Sequence, residues 1–332
     1  MARELIITNG DEAVTALRAA GIGAGPGDVI LPWRDVLYEG PVPFTEDLAS
    51  LSRIRADHLT MQGWATGRGL HAEFRMRDAT IADHADFDLV TLWFEQDFYD
   101  TLQLLQVLDF FAGEDRGRDT LRIVHADKHL TRLSQEALRA LAADPRPVGG
   151  ARLNQAREAW AFWRLPDPTR WCGLGDRPRL ELKHLWHAVI TSTGHVPSAS
   201  NGLTVPQRHI LESLADGPRT RNQLFAAFSA WCDRIGGAYM GDLSFFAVLE
   251  DLSSATQPLV CKVVCEPGGP DAPSQHPVKA PLAITEFGRD VLAGRTDFAA
   301  HNVIDTWLGG THITNASLWR RDTATHRLLP PR

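Results

Sequence analysis

The chain reads as an α/β protein: a doubly wound parallel sheet at the N-terminus, a helical connector, and a C-terminal winged-helix-like module. Three observations predict this. Short apolar runs alternate with helix-period stretches through residues 4–142, the order that a parallel sheet with crossover helices requires. The run LVTLWF is apolar at almost every position, as suits a central parallel strand buried on both faces. From residue 204 the pattern changes to three helices, a strand, a Gly/Pro-rich loop and a returning strand, the order of a winged helix.

The elements follow in turn. A strand over 4–8 leads to a helix over 11–20, with Asp11 or Asn9 as cap and Gly21 as its end. A strand over 28–32 precedes a Gly- and Pro-rich turn, Gly40-Pro41-Val42-Pro43. Thr45 then caps a helix running to about residue 62, with Leu48, Leu51, Ile54 and Leu59 on one stripe. Residues 63–87 hold a helix and a loop. The strand over 88–94 and the helix over 98–112 come next, followed by a strand over 120–125 and a helix over 134–142. DPRPVGG marks a break at 144–150. Helices over 151–163 and 178–192 flank a turn-rich stretch, and a second break covers 193–202. In the last part, Thr204 caps the first helix, a second spans 221–231, and LSFFAVLEDLSS forms the third. LVCKVVC and PLAIT are the strands, 267–277 the loop between them, and 285–293 a final helix. The expected domains are 1–145, 146–200 and 201–332.

Composition narrows the function. No apolar run reaches the ~18 residues of a transmembrane helix. The N-terminus enters a strand with no secretory layout. The four cysteines, Cys172, Cys232, Cys261 and Cys265, suggest no disulfide framework, so a cytoplasmic location is expected. The net charge of −7 is unevenly placed: residues 1–130 hold 12 Lys and Arg against 22 Asp and Glu, the remainder 22 against 19. Neither part has the basic footprint of a nucleic-acid binder. The third helix of the winged-helix-like module has no Lys or Arg and carries Asp242, Glu250 and Asp251. That argues against DNA reading and for packing, a protein partner or a homo-oligomer contact.

Four polar motifs each follow a predicted strand of the first domain: Thr8-Asn9-Gly10-Asp11, Trp33-Arg34-Asp35, Glu95-Gln96-Asp97 and His125-Ala126-Asp127-Lys128. The carboxyl ends of parallel strands share one edge, where ligands bind. Asn9, Gly10, Asp11, Trp33, Arg34 and His125 are therefore candidate ligand-binding residues. Gly10 would allow a tight turn, and the helix after it would offer N–H groups to an anion. Arg34 would clamp a carboxylate or phosphate. Asp35, Glu39, Glu95 and Asp97 are the candidate catalytic residues, as acid/base groups or ligands of a divalent metal. Each has a structural alternative: Asp11 and Asp97 as helix caps, and Arg34 paired with Asp35 or Glu39 to hold its loop. Arg55 and His58, on the helix over 45–62, lie within reach of the same cleft. Glu181, His184 and His187 fall three apart on one expected helix, a spacing also seen in carboxylate-bridged metal bundles, although a packed helix surface explains it as well.

The stretch TNGD…LPWRDVLYEGPVP…LWFEQDFYDTLQLLQVLDFF resembles the bacterial family catalogued as domain of unknown function 1835. The tail ITEFGRDVLAG…NVIDTWLGGTHI…LWRRD is similar to the C-terminal part of its members. The resemblance covers both ends of the chain and implies its domain limits and a bacterial origin, but no reaction. The residues themselves point to an enzyme that holds a small polar or phosphorylated ligand at the strand ends, as a transferase or hydrolase. The alternative is a ligand-sensing regulatory protein whose winged helix meets DNA or a partner protein. The tail segment 305–312, with Trp307 and Leu308 followed by Gly309-Gly310, is expected to dock, because exposing such apolar surface costs about 25 cal/mol per Å².

Overall fold

The computed structural model describes residues 2–64, 69–117, 119–177, 181–182, 184–237, 239–263 and 280–331. The chain divides into two compact units. Unit 1 comprises residues 1–189 with the short segment Trp307–Thr311, and unit 2 the rest.

Unit 1 is a mixed α/β layer structure. Its elements are β1 (Glu4–Thr8), α1 (Asp11–Ala19), β2 (Val29–Pro32), α2 (Leu48–Met61), α3 (Leu70–Ala82), β3 (Leu89–Phe94), α4 (Phe98–Phe111), β4 (Leu121–His125), α5 (Gln135–Ala142), β5 (Arg146–Pro147), α6 (Gly150–Trp163) and α7 (Thr169–Gly173). Helix α8 (Leu185–Thr193) crosses the boundary between the units. The sheet order is β2-β1-β3-β4-β5. The first four strands are parallel, and the two-residue β5 joins antiparallel at the edge.

Alternation along the strands explains why both faces are covered. Ile6, Ile30, Trp93 and Val124 pack with Val14 and Leu17 of α1 and Leu138 of α5 in one buried cluster. Successive strand side chains point to opposite faces. Leu5, Ile7, Leu92 and Phe94, which alternate with that set, are fully buried too, so the other face is covered as well. Helix α4, whose Leu102, Leu105 and Leu108 are fully buried, packs beside β3 and against α6. This is the doubly wound arrangement that the β-α alternation predicts.

Some boundaries differ from the sequence expectation. Asp47, not Thr45, caps α2, accepting from Ser50 N–H at 2.7 Å. Helix α1 has no side-chain cap. Helix α8 begins at Leu185, so Glu181 and His184 precede it and the expected three-apart helical spacing does not form. A short helix, α7, lies within the stretch expected to be turn-rich.

Unit 2 contains α9 (Val205–Ala215), α10 (Arg221–Ile235), α11 (Asp242–Ser254), β6 (Val260–Lys262), β7 (Leu282–Ile284), α12 (Glu286–Leu292), α13 (Phe298–His301), β10 (Arg320–Arg321) and β11 (Leu328–Leu329), while β8 (Asp305–Leu308) and β9 (Thr311–Thr314) are divided, with Trp307, Leu308 and Thr311 in unit 1. Capping boxes start α9 at Thr204 and α10 at Thr220, each closed by a Gln three residues on. Strands β6 and β7 pair antiparallel. The Gly/Pro-rich loop over 267–277 and Cys265 lie outside the described residues. Cys172, Cys232 and Cys261 are free thiols. No described helix is long and apolar enough to cross a membrane.

The tail segment Trp307–Thr311 belongs to unit 1. Its Gly310 N–H donates to the Trp163 carbonyl at 2.9 Å, the Thr311 hydroxyl to the Leu165 carbonyl at 3.0 Å, and Val42 N–H to the Gly309 carbonyl at 2.9 Å. Both glycines are required by close approach. A Cβ on Gly309 would stand 2.0 Å from the Trp163 carbonyl oxygen, and one on Gly310 would stand 2.0 Å from that of Arg164.

Candidate functional site

The strand order 2-1-3-4 places a topological switch point between β1 and β3. In a sheet of this kind the ligand crevice opens there, beyond the carboxyl ends of the strands. The residues after β1 and β3 do converge. Asn9 Nδ2 donates to Asp100 Oδ2 at 2.9 Å, and Glu95 N–H donates to the same oxygen at 3.0 Å. The Tyr99 hydroxyl donates to the Asn9 carbonyl at 3.2 Å. Asp100 is completely buried, and its other oxygen, Oδ1, has no hydrogen-bond partner among the described residues.

Three more groups close the site. Glu95 is buried; its Oε1 accepts from Leu130 N–H at 2.8 Å, and its Oε2 lies 2.5 Å from His129 Nδ1. Asp97 caps α4, with Oδ1 accepting from Asp100 N–H at 2.8 Å. One ligand atom from each of Glu95, Asp97 and His129 can be chosen so that all three lie within 4.8 Å of one another. A short 3₁₀ turn over Leu130–Arg132 follows His129 and anchors Leu130, fully buried, under the site.

The electrostatics follow from burying three carboxyls together. Burial, then the neighbouring Asp97 and Glu95 charges, hold the proton of Asp100 well above the usual carboxylate range. Burial also raises Asp97, to about 6; the Glu95 charge adds to this, while the Asp100 N–H bond opposes it. His129 is pushed up, chiefly by its hydrogen bond to Glu95. The site therefore holds both protons and negative charge near neutrality, a state that a cation would compensate.

His125 borders the site. Its Nε2 lies 3.1 Å from the Glu95 carbonyl oxygen, and its ring packs edge-on to His184 at 4.8 Å. Burial and the second imidazole push it down to about 4, so it is neutral at ordinary pH. Gln96 donates to Asp127 beside it.

The other expected residues have different placements. Trp33 is completely buried; its indole N–H donates to Gln106 Oε1 at 2.8 Å, and the Arg77 guanidinium stacks 4.2 Å over the ring. It is a core residue and lines no cleft. Asp35 pairs with Arg55 in an ion pair in which both side chains are wholly buried, at 2.8 Å. Arg55 also donates to the carbonyls of Val36, Glu39 and Pro41. The charge of Asp35 thus supports the loop, and Arg55 is the post around which WRDVLYEGP winds. Glu39 meets Arg55 through its carbonyl oxygen. Gly40, with φ +67°, lets the His58 ring pack against its Cα; a Cβ there would stand 2.2 Å from His58 Nε2.

Arg34 pairs with neither Asp35 nor Glu39. Its Nε and Nη2 grip both oxygens of Asp11 at 2.7 and 2.6 Å, and its Nη1 lies 3.9 Å from Glu73. The hydrogen bond to Arg34 lowers Asp11 and raises Arg34. Both sides of the pair are solvent-exposed, and an anion would have to compete with Asp11 for the guanidinium. Gly10 has extended backbone, φ 174°, so its conformation does not demand glycine, and the space beside its Cα is open for 4 Å.

His129 was not among the residues expected from the motifs. The signal was the repeat of histidine four residues after His125, in HADKH.

No protein-family model and no curated protein matches the chain, so the resemblance to domain of unknown function 1835 rests on the motifs alone. Among solved structures, the chain is similar to the Plasmodium falciparum topoisomerase II DNA-binding, cleavage and re-ligation domain. The identity is 11% and the TM-score 0.46, over 99% of this chain and 54% of that one. The chain thus spans about half the length of that structure.

Proposed function

We propose that the β1/β3 edge of unit 1 binds a divalent cation through Glu95, Asp97 and His129, and with it a small polar or phosphorylated ligand, as the site of a transferase or hydrolase. The observation that carries this reading is the convergence of those three ligand atoms within 4.8 Å. Two carboxylates and an imidazole form a mixed oxygen and nitrogen donor set, which suits Mn²⁺ or Zn²⁺ better than a purely oxygen-seeking ion. The negative charge held at this buried edge is what a cation would neutralise.

The ligand would extend toward β1. Helix α1 starts without a side-chain cap, and the space beside Gly10 is open. Its first-turn N–H groups would donate to a phosphate or carboxylate. In this arrangement a bound cation would polarise the ligand and lower the pKa of a coordinated water. The neutral His125, the last residue of β4 and the register partner of Phe94, donates from Nε2 to the Glu95 carbonyl, so its Nδ1 would serve as the nearby proton acceptor.

A thermal-shift screen of the full chain against Mn²⁺, Zn²⁺, Mg²⁺, nucleotides and sugar phosphates tests the reading. A specific binder raises the melting temperature with concentration by mass action. Stabilisation by a divalent cation that Glu95→Gln removes would support the site. A screen in which no cation acts, or in which the variant responds like the parent, would reject it.

A second reading keeps the site but makes it regulatory. The order α9-α10-α11-β6-β7 supports a winged helix in unit 2. Helix α11 has no Lys or Arg, which favours a protein partner over DNA for that module.

A further inference from the structure

We propose that unit 2 carries a second binding site, a pocket for a small organic anion with an apolar body. A cavity of about 220 Å³ lies where the start of α10 and one face of α11 meet β6 and β7. Arg221, Lys262 and Glu250 supply its charge, and Phe246, Leu249 and Leu282 its apolar wall. Two cations against one carboxylate leave the lining net positive, in a chain whose overall charge is −7.

The state of Arg221 says most about the occupant. Its guanidinium carbon lies 3.8 Å from the centroid of the Phe246 ring, over its face. Its Nε is buried and, among the described residues, has no hydrogen-bond partner. Among the described residues, neither Arg221 nor Lys262 forms an ion pair, although Glu250 lines the same cavity. A buried donor left unsatisfied costs free energy, more so when it is charged. A guanidinium held over an aromatic face still offers its planar fork to a bidentate oxyanion, a carboxylate or a phosphate.

The wall gives the rest of the ligand. Phe246 and Leu249 on α11 and Leu282 on β7 form an apolar surface beside the cations, and a fully hydrated ion such as free phosphate would leave that surface unused. The volume falls below the ~300 Å³ lower end of ordinary ligand pockets, so the body is a single ring or a short chain. A monocyclic aryl carboxylate fits these requirements: its oxygens meet Arg221 and Lys262, and its ring lies on the apolar wall. This site is separate from the β1/β3 edge and does not depend on the reading given there.

The test uses the full chain and 4-fluorobenzoate as the probe, with binding followed by ¹⁹F line broadening and by titration calorimetry. The site predicts saturable binding at one equivalent. Arg221→Met, which keeps the stem on Phe246, should weaken it about tenfold or more, as loss of a charge-assisted bidentate contact does. Lys262→Met, on an exposed side chain, provides a second variant that should fold normally and weaken binding less. The neutral 4-fluorobenzamide should not compete, and inorganic phosphate should compete only weakly. Equal binding of the amide, or unchanged affinity in both variants, would overturn the anion site. Phosphate competing as well as the aryl acid would overturn the apolar body. Absence of saturable binding at millimolar probe would overturn the proposal as a whole.

Discussion

Replacing Asp97 by Asn should remove a loss of stability that the parent protein suffers between about pH 4 and 6. In the unfolded chain Asp97 gives up its proton near 3.8; in the fold it keeps it to about 6, because burial and the Glu95 charge oppose ionisation. Between these values the folded state binds more protons than the unfolded state, so stability falls as the pH rises. The contribution is whole below about pH 4 and gone above about pH 6. A displacement of about two units, at about 1.36 kcal/mol per unit, sets a ceiling near 3 kcal/mol. Asp97 keeps some contact with solvent, which brings the expected effect to about 1–3 kcal/mol. Asn serves as well as Asp in capping a helix, so the cap on α4 survives the change. Urea unfolding at pH 4.5 and 7.5 in the presence of a chelator is the assay. The parent should lose about 1–3 kcal/mol more than the variant over that interval. Parallel pH profiles, or a parent that gains stability relative to Asp97→Asn, would refute the reasoning. His129 acts in the same direction at higher pH: its raised folded pKa stabilises fully below about 6.5 and is lost as the pH climbs through the folded value.

The remaining predictions concern the frame around the site. Arg55→Met should destabilise the protein by about 3–5 kcal/mol in chemical denaturation, because it strands the buried Asp35 carboxylate and three carbonyls; a loss under about 1 kcal/mol would contradict the loop-post role. Arg34→Ala should cost less than about 1 kcal/mol, since its pair with Asp11 is exposed on both sides; a larger loss would mean that the pair holds the loop after all. Gly309→Ala should cost about 2 kcal/mol or more, from a positive φ and the clash with Trp163, and thermal unfolding at the parent's temperature would contradict the docking of the tail segment.

What the sequence revealed follows its periodicities. The strands of unit 1 and their common edge were legible because apolar runs and polar strand ends are local signals. The partners of the polar groups were not. Arg34 and Asp35 are adjacent, so along an extended chain they point apart; one reaches Asp11 and the other Arg55, 23 and 20 residues away. Trp33 looked like a ligand-facing aromatic, yet β2 delivers it inward to Gln106, 73 residues on. Asp97 proved to be a cap and a member of the cluster at once, a pair of roles that composition cannot separate. His129 depends on a turn that folds back after β4, and nothing local marks that turn.

Glu95, Asp97 and His129 are proposed to hold a divalent cation. Calorimetric titration of Mn²⁺ into the full chain at pH 7.5, in two buffers of different ionisation heat, tests it most directly. One site is expected, with proton release visible as a heat that differs between the buffers, because His129, whose proton is held more tightly by its bond to Glu95, must give it up to coordinate. Binding should weaken sharply at pH 5 and vanish in Glu95→Gln. Absence of stoichiometric binding at pH 7.5, or binding that Glu95→Gln leaves unchanged, would contradict it.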